Sequence, residues 1–570
     1  IIRARQRSLF YPYEIVGWLT SPGNRFGVDE GDFDEFDLDD DNRLVSVRGR
    51  AYGRNTANVV VGRISNRSTR FPDGIQRVLI IGDPTRTMGS LGEQECRRII
   101  AAIEYAEEHN LPVEWVALSS GARISFDSGT ENLDWTACVL RSIIEFTQRG
   151  GVIHCIVDGP CVGAQSYWNA EATMLMHCRG ALIMTPRGYM VLTGKKALEY
   201  SGSVAAETNE KIGGLEIMEP NGQAQYTAPD LYSAYELLFK HYDLTYVAAS
   251  EGYTRPFPSA DPDDRDACET PYDGPGGFAK IGEIFNEEAN PGRKKPFAIR
   301  PVIESLLDAD SEPLERWRNL MSGETAVVYH GRMGGQPVCM VGIESVPVKR
   351  KDQSPVDGPD SWMSGTLFPH SSRKVARAIN ASSGVMPVVV VANLSGFDGS
   401  PESLRKRQLE FGAEIGRAVV NFQGPIVFCV VSRYHGGAYV VFSQGLNASL
   451  EAVALDGSYA SVIGGAPAAA VVFPGMVRKR VMKDDRVRAA RQALDEAPPE
   501  ELAERQQRYD EVLRNVESEV QMQVAREFDS VHSVQRAMDV GSLTAVIQPA
   551  EIRRDLINRV RSGIARFRTP

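Results

Sequence analysis

The 570-residue chain holds no CxxC pair, and its eight cysteines are scattered. This argues against a disulfide framework or an all-cysteine zinc site, and it fits a reducing, cytoplasmic setting. No run of 18 apolar residues occurs, so no membrane span is expected. The opening "IIRARQRSLFYPYEIVGWL" lacks a long apolar region and is interrupted by "YP", which argues against a signal peptide. Basic surplus is missing too. A net charge of −11 speaks against a nucleic-acid binder. The first residue is not Met, so the chain reads as a piece of a longer or trimmed product. What remains is ordinary globular composition, 42% hydrophobic and 24% charged, at a length suited to two to four domains.

Along the chain, the acidic run "DEGDFDEFDLDDD" (29–41) reads as a solvated connector, since the EF-hand order is absent. The runs "NVVVGRIS", "RVLIIGD", "PVEWVAL" and "VIHCIVD" read as strands. They alternate with the helix-like "GEQECRRIIAAIEYAEEHN" and "LDWTACVLRSIIEFTQRG". Such alternation predicts an α/β region. Residues 254–300, rich in Pro, Asp and Gly, read as an inter-domain linker, and 346–365 as a surface loop. From 371 to about 473 the α/β alternation returns. The charged stretch 484–528 reads as long helices that face solvent or another domain.

The two halves echo each other. "PVEWVALSSGAR" (112–123) agrees with "PVVVVANLSGFD" (387–398) at six of twelve positions. "IHCIVDGPCVGAQ" (153–165) set over "VFCVVSRYHGGAY" (427–439) matches Cys155 with Cys429, Gly163 with Gly437 and Ala164 with Ala438. Gly121 and Gly163 are 42 residues apart, Gly396 and Gly437 41. Each half therefore carries two small-residue turns after buried strands. Gly lets a backbone approach a ligand closely, and free N–H groups at a helix start carry partial positive charge. Two such turns facing one point would form an oxyanion hole from backbone alone. A covalent serine, Ser119 or Ser120, is the weaker reading, because no G-x-S-x-G is present and no matching His or Asp recurs in both halves.

Further stretches carry a resemblance. "MGSLGEQE" (88–95), "SSGARI" (119–124), "GPCVGA" (159–164), "KIGGLEIM" (211–218), "GRMGGQPV" (331–338), "FPHSSRKVARAIN" (368–380), "LSGFDG" (394–399), "HGGAY" (435–439) and "REFDSVHSVQRAMDVGSLTAVIQP" (526–549) occur in that order. With them the chain resembles the carboxyltransferase component of biotin-dependent acyl-CoA carboxylases, acetyl-CoA carboxylase type. The resemblance implies two crotonase-like ββα spirals related by duplication. It places an acyl-CoA domain at 1–265 and a biotin domain at 266–570.

The same resemblance implies carboxyl transfer from carboxybiotin to a short acyl-CoA, acetyl-CoA first and propionyl-CoA second. Ser120, Gly121, Ala122, Gly163 and Ala164 would cradle the thioester oxygen. Gly396, Phe397, Gly437 and Ala438 would cradle the biotin oxygen, and Arg123 would hold the transferred carboxylate. Family members of the eukaryotic type carry Arg before the second-half Gly-Phe, where this chain has Ser395. Val440 stands where propionyl-type subunits often have Asp, and it would line the acyl pocket. No Met-Lys-Met biotin-attachment site and no ATP-binding Gly-rich loop are present. Biotin carboxylase and carrier are thus expected elsewhere in the same polypeptide. A homodimer or larger assembly with interfacial sites is expected, with neither nucleic acid nor membrane as partner. His435 and the basic "VRKR" (477–480) are secondary candidates, for the biotin pocket and for CoA phosphates. A biotin-dependent decarboxylase and a crotonase-like hydratase or hydrolase are the rival readings.

Overall fold

The computed structural model describes residues 1–23, 26, 28–202 and 205–568. In the first half an antiparallel pair, Val59–Asn66 and Ile75–Gly82, leads into the parallel strands Val113–Val116, Ile153–Val157, Leu182–Met184 and Tyr226–Thr227. The second half repeats the plan. The antiparallel pair Ala326–Met333 and Gln336–Ile343 precedes the parallel strands Val388–Leu394, Ile426–His435, Leu450–Leu455 and Ala545–Ile547. Both central sheets are covered on two faces, so their strands need unbroken apolar runs rather than alternation. "VVVVANL" at 388–394 is such a run, and only Asn393 in it is not fully buried.

Helices clamp each sheet from both sides. Glu93–Glu108 places Cys96, Ile99 and Ile103 on one buried stripe at helical spacing. The Gly92 N–H donates to Glu95 Oε2 at 2.9 Å, which satisfies one donor at the helix start. Pro369–Ser382 occupies the same position on the second sheet. The halves meet through second-half side chains that donate to first-half carbonyls. Arg316 reaches Gly180 O at 2.7 Å, Arg377 reaches Thr173 O at 2.8 Å and Asn380 reaches Met176 O at 2.8 Å.

Two sequence expectations change here, and a third is extended. The acidic run 29–41 is no connector, because Gly31–Leu38 is a strand paired with Val59–Asn66. Its carboxylates meet arginines: Asp37 bonds Arg98, and Glu35 pairs with Arg50. The segment read as a linker at 254–300 is folded onto the second sheet, burying Ala267, Cys268, Phe278, Ile281 and Ile284. The charged stretch 484–528 forms helices Asp485–Asp495 and Leu502–Val531, with a small core of Val487, Leu494, Val516, Val520 and Val524. It does more than face solvent, since one side of the longer helix walls a cleft described below.

The duplication holds, with a corrected register. Val113 pairs with Ile153 in the first half and Val388 with Ile426 in the second. Ile153 therefore corresponds to Ile426, and Cys155 to Phe428 rather than Cys429. Side chains alternate along a strand, so a slip of one residue moves each to the opposite face. Cys155 and Phe428 both lie on the face under the sheet-covering helices Glu93–Glu108 and Pro369–Ser382, whereas Cys429 lies on the other face. By the same register Gly163 corresponds to Gly436, and Ala164 to Gly437. Both Gly163 (φ 59°) and Gly436 (φ 64°) occupy the positive-φ region that favours glycine.

Candidate active site

In the first half, strand Val113–Val116 runs into Ser119–Arg123, and strand Ile153–Val157 into the turn at Gly163. Two backbone bonds lace the turns together: Ser119 N–H to Pro160 O (2.8 Å) and Val162 N–H to Ser119 O (3.0 Å). Ser120 is fully engaged, its N–H with Met88 O at 2.9 Å and its hydroxyl with Thr87 O at 3.1 Å. Gly121 N–H turns inward to Ser119 Oγ at 2.9 Å, and Ser119 is fully buried. No histidine bonds either serine among the described residues, so nothing here activates a hydroxyl.

Two donors remain. Leu91 pairs with Ala122, sending its N–H to Gly121 O and receiving Arg123 N–H. In a parallel pairing of this kind the central residue's own N–H faces away from its neighbour strand. Ala122 N–H thus points outward without an acceptor among the described residues. Gly163 N–H bonds Val191 O at 2.9 Å, which leaves Ala164, the first residue of helix Ala164–Thr173, with a free N–H.

The second half repeats this geometry. Leu367 pairs with Phe397, and Asp398 N–H reaches Leu367 O at 3.0 Å, so Phe397 N–H faces outward. Gly396, with φ 148°, is open to solvent space on its Cβ side. Gly437 and Ala438 are the second and third residues of helix Gly436–Val441, where N–H groups lack an intrahelical acceptor. The Phe397 ring closes over Gly437, 3.4 Å from the point where a Cβ would stand. Val440 lies further along that short helix, 61% exposed.

The second-half turns open onto a cleft of about 800 Å³. Ser395, Gly396, Phe397, Gly436 and Gly437 form one wall, and Gln521, Met522 and Ala525 of helix Leu502–Val531 form another. Lys294, Arg433 and Arg526 also line it, against the single carboxylate of Asp529, which accepts Gly465 N–H at 2.8 Å. The cleft is cationic and rich in donors, suited to an oxygen that gains negative charge. His435 sits behind the turn, nine-tenths buried, with Nδ1 3.2 Å from Ser461 O. Burial lowers its pKa. In "VRKR", Val477 is buried and Arg480 pairs with Glu527 at 2.8 Å.

Arg123 ends the first turn with a guanidinium 40% exposed and Nη2 3.1 Å from Glu95 Oε2. Asp398, its counterpart, accepts the Ser400 hydroxyl instead. Within one chain the first-half donors and the second-half cleft share no lining residue.

The carboxyl transferase domain family covers residues 23–565. The chain belongs to that family. It is 24% identical over 495 residues to an acetyl-CoA carboxylase of Saccharomyces cerevisiae, covering 72% of this chain and 21% of that protein. It is 24% identical over 474 residues to an acetyl-CoA carboxylase of Dictyostelium discoideum, covering 70% and 20%. The chain thus spans about a fifth of the length of those carboxylases. In fold, this carboxyltransferase-family chain is similar to transcarboxylase 12S, with TM-score 0.72 at 19% identity over 99% of this chain and 92% of that one. The crotonase-like α/β architecture expected from the motifs is therefore the observed one. Cleft residues Lys294, Arg433 and Gln521 escaped the sequence reading. Lys294 and Gln521 lie far from the turn motifs in sequence, and only folding brings them to the turns.

Proposed function

We propose that this chain transfers a carboxyl group between carboxybiotin and a short acyl-CoA, with acetyl-CoA as the preferred acceptor and propionyl-CoA as the alternative. The observation that carries the reading is the duplicated pair of unpartnered backbone donors, Ala122 with Ala164 and Phe397 with Gly437. Two chemically equivalent holes suit a reaction in which two oxygens gain charge. When bound, carboxybiotin supplies both the CO2 and the ureido nitrogen that takes the α-proton. Ala122 and Ala164 N–H groups hold the thioester oxygen as it becomes an enolate, and Phe397 and Gly437 hold the ureido oxygen. Each donor contributes about 3 kcal/mol of transition-state stabilisation. Arg123 spends one guanidinium nitrogen on Glu95 and keeps the rest of its fork for the transferred carboxylate.

The two holes belong to different subunits of a homodimer or larger assembly. Exposed apolar side chains flank both: Ile124 (97%), Phe126 and Leu192 at the first, Val440 and Val462 (86%) at the second. Surfaces of this kind mark association. Biotin carboxylase and carrier domains complete the enzyme, the length of the relatives supporting their place in the same polypeptide. Exposed Val440 favours a small acyl group over one needing a polar partner. A cytoplasmic setting fits the eight unpaired cysteines, seven of them buried.

The test mixes this chain with malonyl-CoA and biocytin and follows acetyl-CoA release. Release that depends on biocytin supports carboxyl transfer. Release without biocytin, or hydration of an enoyl-CoA, overturns it in favour of a crotonase-like hydrolase or hydratase. Comparing acetyl-CoA, propionyl-CoA and butyryl-CoA with the complete enzyme decides the acceptor.

A further inference from the structure

A second cavity, of about 400 Å³, lies where the halves meet. Pro112 and Val152, at the starts of two first-half strands, line it, so it occupies the sheet edge opposite the catalytic turns. Gly384 and Val385 of the second half close its other side. Its size suits a small ligand.

The charged side chains on its wall are Glu107, Glu251, Arg149 and Arg179, and among the described residues only Arg179 has no ion-pair partner. Glu107 is bound by Arg149, and Glu251 by Arg255 at 2.8 Å. His154 accepts Ala181 N–H on Nδ1 at 3.1 Å, and burial pushes its pKa down to about 3, so the ring is neutral with its proton on Nε2. Arg179 stands apart. Its guanidinium makes a single hydrogen bond among the described residues, to Gly150 O at 3.2 Å, and no carboxylate lies within salt-bridge distance. Arg179 is part-buried, and a guanidinium offers five N–H donors, of which four have no protein acceptor here among the described residues. Two glycines make room for it. A Cβ on Gly150 would stand 3.2 Å from Nη1, and one on Gly384 3.3 Å from Nη2. Both glycines sit at positive φ just past the ends of helices Thr130–Gln148 and Pro369–Ser382, the usual place for a left-handed glycine.

We propose that this seam cavity binds a small oxyanion, a carboxylate or a phosphate group carrying one net charge, with Arg179 as its anchor. The ligand touches both halves and is distinct from acyl-CoA and biotin at the turns. Occupancy supplies the counter-charge that the chain itself lacks, so it stabilises the fold by mass action.

Thermal melts and calorimetry of the full chain test this with two probes, inorganic phosphate and succinate, at constant ionic strength. The expected result is a saturable rise in melting temperature with either or both probes, and a dissociation constant at least tenfold weaker in Arg179→Met. Arg179→Lys, which keeps the charge but not the fork, is expected to fall between them. The stronger probe identifies which oxyanion the cavity prefers. Equal responses in wild type and Arg179→Met would show only general ion exclusion and overturn the site. So would an Arg179→Met variant destabilised to the same extent with and without either probe, because the bond to Gly150 O would then be the whole role of Arg179. The readout involves no turnover, so it stands or falls independently of the carboxyltransferase reading.

Discussion

Arg123 Nη2 lies 3.1 Å from Oε2 of Glu95, a carboxylate 1% exposed that also accepts the N–H groups of Gly92 and Asn58. A buried acid at a helix start therefore sets the direction of the cation beside the first donor pair. Arg123→Ala is expected to lower biocytin-dependent turnover of malonyl-CoA by about 100-fold, while CoA binding and melting temperature stay nearly constant. The partly exposed pair itself is worth no more than about 1 kcal/mol. Glu95→Gln should reverse the balance, costing about 1–2 kcal/mol of stability through the buried donors it holds. Parallel rate and melting measurements on the two variants check both statements.

Ala164 offers an unusually clean removal of one donor. It is the first helical residue, a position where proline is tolerated because the N–H has no intrahelical partner. Ala164→Pro is expected to fold and to lose about 10²–10³ in kcat. A rate within threefold of wild type would mean that this N–H does not face the reacting oxygen.

Gly437 tests the other hole. A Cβ there meets only the Phe397 ring, at 3.4 Å, an ordinary contact. Gly437→Val should therefore fold, bind acyl-CoA unchanged and lose biocytin-dependent turnover. Ser120→Ala should stay within tenfold of wild type, because both its N–H and its hydroxyl already serve the loop backbone. Loss of all activity in Ser120→Ala would revive the nucleophile reading.

Lys374, on helix Pro369–Ser382, is fully buried, and desolvation brings its pKa down to about 7. The folded pKa is below the unfolded one, so between about pH 7 and 10 the unfolded chain binds more protons. Stability should rise with pH across that window, approaching about 1.4 kcal/mol per pH unit from this group. Lys374→Met should remove that slope and give its largest relative stabilisation at or below pH 7. Denaturant titrations of both proteins at pH 6, 7, 8 and 9 check the sign.

Much of the site was legible before folding. "SSGAR" and "LSGFD" are turns after buried strands, and the hydroxyls of Ser119 and Ser120 bond the backbone of the first turn. The second pair of turns was read one residue out of register. Identity favoured Cys155 over Cys429, whereas the strand pairing sets Cys155 over Phe428. The acidic run at 29–41 was misread for a related reason, since a carboxylate-rich edge strand and a solvated connector look alike until Arg50 and Arg98 arrive from elsewhere.

By itself the sequence determined the duplication, the α/β class, the family motifs and the small-residue turns that follow the buried strands. These follow from local chemistry: apolar runs, small residues and turn geometry written along the chain. Tertiary structure alone decided which N–H groups remain free, because that depends on which carbonyls Met88, Leu91, Val191 and Leu367 bring to each turn. It also decided that Arg179 ends without a counter-charge at the seam. A hydrogen bond or an ion pair is a property of two partners, and partners separated by tens or hundreds of residues meet only when the sheets close.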